Sequence, residues 1–124
     1  MAQPRSREKW EGLSVTAPGP IPARERPPDR RASETFEFEV SGLHYSATIS
    51  RFADGRIGEI FLASHEVGSQ ADTAARDNGV IVSLAVQHGA DLETIRRGLC
   101  RDDRGRASGT LSMALDAICG EGGR

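Results

Sequence analysis

Two runs of alternating apolar residues, Phe36, Phe38, Val40 and then Leu43, Tyr45, Ala47, Ile49, flank the dipeptide Ser41-Gly42. A two-residue period turns one face of a strand into a core and the other toward water, and so short a break between two such runs suits a hairpin. The intervening positions fit the wet face: Glu37, Glu39, His44, Ser46, Thr48 and Ser50. A turn at Asp54-Gly55 and a third run over 57–63 (IGEIFLA) extend the hairpin to a three-stranded antiparallel meander. A sheet this small is marginally stable alone, so its apolar face needs cover.

Three helices follow to supply it. Ser69, after Gly68, is placed to cap a helix running to about His88, with Asp72 in its first turn. The stretch VIVSLAV over 80–86 is apolar on nearly every side, which suits a central helix buried between the sheet and the other helices. Gly89 stops it. Asp91 caps a shorter helix carrying Leu92, Ile95 and Leu99, with Arg96 and Arg97 toward its negative end. After the polar loop RDDRGR, Ser108 or Thr110 opens a last helix in which Leu111, Ala114, Leu115 and Ile118 recur at i, i+3, i+4, i+7, and Gly120 ends it. The fold class is α+β: a three-stranded meander with three helices on one face.

All six prolines lie within residues 1–28, among Arg, Glu and Ala. Residues 1–34 therefore read as a disordered Pro/Arg-rich tail, 35–120 as the domain and 121–124 as a flexible end. The tail holds seven basic and five acidic residues, the remainder nine and thirteen. RERPPDRR over 24–31 is a weak docking arm or a solvated linker. With 124 residues the chain has room for one small domain and no multidomain catalyst. No run approaches the roughly 18 apolar residues of a membrane span, and two cysteines without a CxxC fit a reducing compartment, so a cytoplasmic protein is expected. An acidic domain poor in aromatic residues offers no stacking platform for nucleic acid.

The ordered pieces TFEFEV, GLHYSATISRFADGR, GEIFLA, the Gly68-Ser69 helix start, SLAVQHGADLETIRRGL and SGTLSMALDAI together resemble the TSCPD domain. That module occurs at the C-terminus of adenosylcobalamin-dependent ribonucleotide reductases and as short stand-alone proteins. The resemblance implies an accessory or regulatory role in ribonucleotide reduction and deoxynucleotide supply, with a reductase or another nucleotide-handling protein as partner. It implies adenosylcobalamin only for the larger enzymes. The Thr-Ser-Cys-Pro-Asp signature falls near residues 107–111, where this chain reads ASGTL, and no cysteine pair follows Ile118. A radical cysteine, a reducing pair and a cobalamin site need several hundred residues, so catalysis by this chain alone is not expected.

Three features are candidates for chemistry. The loop GRASGT brings Arg104 and Arg106 beside Ser108 and Gly109 at a helix start, where free amides suit a nucleotide phosphate or another anion, although its spacing is not that of a phosphate-binding loop. Gly68-Ser69 is a second such start. Cys100 and Cys119 end neighbouring helices and are a conceivable redox pair, against the commoner reading of inert small hydrophobes. His44, His65 and His88 are scattered, with no metal-ligand spacing. Phe36, Phe38, Tyr45 and Phe61 fall on two sheet faces, and an exposed apolar patch there favours a second copy or a partner.

Overall fold

The computed structural model describes residues 21–120. Strands β1 (Ser33–Val40), β2 (Leu43–Arg51) and β3 (Ile57–Ser64) form one antiparallel sheet in the order β1-β2-β3. The first reversal pairs Val40 with Leu43 and carries positive φ at both Ser41 (53°) and Gly42 (82°). Those are the signs of a type I′ turn, whose twist matches that of the flanking strands. Helices α1 (Gln70–Gln87), α2 (Leu92–Gly98) and α3 (Thr110–Leu115) follow, the last running into a π-turn over Asp116–Gly120. The expected meander and three helices are present. Ser69 and Asp91 cap α1 and α2 through their side chains, and Gly109 opens α3.

The core lies on one sheet face. Tyr45, Ala47, Ile49, Ile60 and Leu62 meet Ala75 and Val82 of α1, Ala114 and Leu115 of α3, and Ile118 just beyond it. Phe36 and Phe38 border this cluster, with Phe38 stacked on Tyr45 at 5.5 Å. Phe52, in the β2–β3 connection, is buried, and its ring would stand 2.9 Å from a Cβ at position 58, which accounts for Gly58. The Arg56 guanidinium lies 4.6 Å over that ring.

Helix α1 does not take the central position that its apolar run suggests. It lies along the outer edge of β3 and fastens to that strand's backbone. Ser83 Oγ accepts from the Ile60 amide at 2.9 Å and donates to the Ile60 carbonyl at 3.0 Å. Gln87 Nε2 donates to the Gly58 carbonyl at 2.8 Å, and the Ser64 amide donates to Asp72 Oδ1 at 3.0 Å. Gly79 brings the two backbones close: a Cβ there would sit 3.0 Å from the Ile60 oxygen and 3.1 Å from the Leu62 nitrogen. Edge-strand donors and acceptors that would otherwise recruit another strand are thereby occupied. Burial against an edge uses a narrow stripe of the helix, so Val80, Ile81 and Leu84 face outward.

The chain engages the domain before Thr35. The His88 Nδ1–H donates to the Pro22 carbonyl at 3.0 Å, the Glu25 amide donates to the Gln87 carbonyl at 2.7 Å, and Arg24 Nε donates to Gln87 Oε1. Pro27 is buried, and Arg31 pairs with Glu59 at 2.9 Å. Residues 22–31 thus form a strap from the end of α1, past the open face of β3, to the start of β1. Of the expected tail over 1–34, residues 22–31 carry these contacts and Ser33 and Glu34 begin β1; the rest of that expectation, over 1–20, and the expected flexible end over 121–124 lie outside the described residues.

Candidate functional site

At the start of α1 the chain supplies its own anion. The Asp72 carboxylate, 3% exposed as a residue, accepts from the amides of Ser64 (3.0 Å) and Gly68 (3.1 Å) and from Arg76 Nε (3.0 Å). Those amide bonds, Gly68 first, and the Arg76 guanidinium hold its pKa below the ordinary carboxylate value. Ser69 Oγ accepts from the Asp72 amide at 3.1 Å and donates to the Glu66 carbonyl at 2.7 Å. Gly68, with φ of 82°, points its N–H at Asp72. The two residues read as an anion site thus serve the cap and the internal carboxylate.

The second candidate divides in two. Asp102 Oδ1 accepts from the Arg104 amide (2.8 Å) and the Arg106 amide (2.9 Å), while Oδ2 takes Arg106 Nε at 3.0 Å. A bridge between Arg101 and Ala107 closes this loop. The Arg106 charge therefore turns back on its own loop. Ser108 and Gly109 instead line an open cavity of about 300 Å³ with Asn78, Leu99, Cys100 and Thr110. The Gly109 amide is bonded to Ser112 Oγ at 3.1 Å. The structure so brings Ser108, Gly109 and Cys100 to one cavity and leaves Arg104, Arg106, Gly68 and Ser69 outside its lining.

The cysteines are both free thiols. Cys100 is exposed, whereas Cys119 is half-buried and its thiol is pushed up by burial, with Glu93 adding to the shift. A raised pKa lowers the thiolate fraction at neutral pH. Cys119 sits beside an ion-pair network that the sequence reading passed over. Arg96 bonds Glu93 through Nε (3.0 Å) and Nη2 (2.6 Å) and reaches Asp116 through Nη1 at 3.0 Å. Arg101 grips the same Asp116 with both terminal nitrogens at 2.7 Å. Arg101 first, then Arg96, draws the Asp116 pKa down to about 2. The network ties α2, the following loop and the π-turn together. Glu93 and Arg96 are an i,i+3 pair, but Asp116 lies 20 and 15 residues from Arg96 and Arg101, too far for spacing to have linked it to them.

Every buried side-chain polar atom among the described residues has a hydrogen-bond partner, and no three His, Cys, Asp or Glu among them are placed to hold a metal. His44 and His65 stack at 6.0 Å on the surface. No described helix is long and apolar enough to cross a membrane.

Comparison with known proteins gives one consistent result. The chain is similar to a short part of vitamin B12-dependent ribonucleotide reductases. It is 36% identical over 74 residues to the Rhodopirellula baltica enzyme, covering 60% of this chain and 7% of that one. With the Agrobacterium fabrum enzyme it shares 36% identity over 70 residues, 56% of this chain and 6% of the other. The Streptantibioticus cattleyicolor protein is 31% identical over 101 residues, 76% of this chain and 17% of that protein. The chain thus spans less than a fifth of each of these relatives. No family model matches it, and no solved structure does.

Proposed function

We propose that this chain is a TSCPD-type accessory or regulatory module associated with ribonucleotide reduction and without turnover of its own. The observation that carries this reading is the ratio of coverage: more than half of this chain matches 6–7% of a reductase, a share suited to an appended module and not to a catalytic body. The fold supports it. Its buried hydrophobic residues lie between the sheet and α1 and α3, and Asp72, Asp102 and Asp116 take up neighbouring amides and arginines. The raised Cys119 thiol argues against thiol exchange at that residue.

The relatives' name includes vitamin B12. Among the described residues, open cavities of about 390 Å³ lie between Phe52 and Leu92 and between Phe36 and Ile118, each a fraction of the space that a corrinoid fills. This supports reading cobalamin as a group of the larger relatives and not of this chain. Affinity capture of the tagged full chain from its native cells tests the association: the expected result is a ribonucleotide reductase enriched over a Leu115→Asp control that disrupts the fold. Recovery of no reductase in repeated captures contradicts the reading.

A further inference from the structure

The two edges of the sheet differ. Side chains of α1 close the β3 edge, whereas among the described residues no strand pairs with the outer side of β1. The hairpin fixes which groups stand open there. In a two-residue hairpin the closing pair, here Val40 and Leu43, exchanges both backbone bonds, and bonded and non-bonded pairs then alternate along the ladder. Val40, Phe38 and Phe36 thus aim their amides and carbonyls at β2, while Glu39, Glu37 and Thr35 aim theirs outward. The carbonyl of His44, which faces Glu39 in the register, accordingly accepts from the His65 amide on the β3 side at 2.9 Å. Among the described residues no backbone group beyond the sheet bonds Thr35, Glu37 or Glu39.

This edge runs for eight consecutive pairs without a bulge or a proline, and an edge of that kind accepts another strand. Its side chains select which one. Thr35, Glu37 and Glu39 are exposed on the open sheet face, the two carboxylates roughly 7 Å apart. The Glu37 side chain is 71% exposed, and His65 Nε2, at 3.9 Å, lies beyond hydrogen-bond reach of it. Phe36, Phe38 and Val40 occupy the other face, half-buried at the margin of the core. Side chains of an added strand lie directly opposite these, so basic residues complement Glu37 and Glu39, and apolar residues between them extend the core margin. A second β1 supplies only glutamates to face glutamates, which opposes self-pairing. We propose that the outer edge of β1 is a β-augmentation site for an extended protein segment in which basic and apolar residues alternate.

Amide hydrogen exchange of the full chain, read residue by residue by NMR, tests this independently of any reductase. The probe is a synthetic peptide of five Lys-Val repeats. In the chain alone, the amides of Glu37 and Glu39 should exchange at least about tenfold faster than those of Phe36 and Phe38, which are bonded to β2. With a dissociation constant on the order of 100 µM, about 1 mM peptide then slows Glu37 and Glu39 about tenfold. A Glu-Val peptide of equal length should leave them unchanged. The double variant Glu37→Lys with Glu39→Lys, at two exposed positions, is expected to keep its far-UV circular dichroism and to bind the Lys-Val peptide about tenfold more weakly. Slow exchange at Glu37 and Glu39 without peptide would mean that a second copy or another part of the chain already covers the edge, and overturns the proposal. So does an absence of slowing at about 1 mM peptide, equal protection by the Glu-Val peptide, or unaltered binding by the double variant.

Discussion

Asp72 and Asp116 show how single carboxylates can hold distant parts of a small domain. The first joins the end of β3 to the start of α1; the second joins α2, the loop after it and the π-turn. Asp116 titrates near 2 when folded and near its ordinary 3.8 when unfolded. The folded state therefore binds this proton less readily, so the stability that Asp116 contributes is full above pH 4 and is lost as pH falls through about 2. Asp72 shifts in the same direction. Thermal melts from neutral to acidic pH should show Tm falling over this window, with a shallower fall and a lower neutral Tm for Asp116→Asn; identical slopes would remove the Asp116 network from the account. The thiols give a second expectation. With a disulfide reagent at pH 7, Cys100 should react promptly and Cys119 slowly until denaturant is added, whereas equal rates would contradict the raised Cys119 thiol. Sequence placed Ser69 and Asp91 as caps because a cap is a local event. It did not show Asp72 reaching Ser64, because that bond depends on how a strand and a helix dock.

Among the elements, the hairpin was the most legible, since alternation over two runs specifies both pairing and face. Helix α1 was legible in extent and misread in position. Its run VIVSLAV looks buried all round, but Asp72, Gly79, Ser83 and Gln87, at steps of seven, four and four, form a polar and small stripe that fits a sheet edge. That stripe is the signal for edge docking, and the aliphatic residues around it hid it. Gly79→Ala tests the geometry. Alanine favours helix by roughly 1 kcal/mol, but the new Cβ meets β3 backbone already paired on its other side with β2, so net destabilisation of about 1–2 kcal/mol is expected in chemical denaturation. Ser83→Ala should cost about 1–3 kcal/mol by stranding the Ile60 amide and carbonyl. Gains in stability from either change would mean that α1 does not sit on the edge.

At the scale of the whole molecule, the sheet has one face in the core, the β3 edge closed by α1 and an open face crossed at one end by the 22–31 strap. The strap was invisible in sequence because its own groups are backbone amides, carbonyls and arginines, which any Pro/Arg-rich segment possesses, and their partners Gln87, His88 and Glu59 lie on distant elements. The candidate loop was partly legible: Gly109 does open a helix, but Asp102 takes the loop amides and the Arg106 side chain. What remains outward-facing is surface, and surface suits a partner. The decisive measurement is turnover in trans. A vitamin B12-dependent reductase deleted of the stretch similar to this chain is assayed with increasing amounts of the purified chain. Saturable recovery or modulation of ribonucleotide reduction, with no product from the chain alone, is the predicted result; unaided turnover by the chain, or a truncated reductase indifferent to it, would contradict the account.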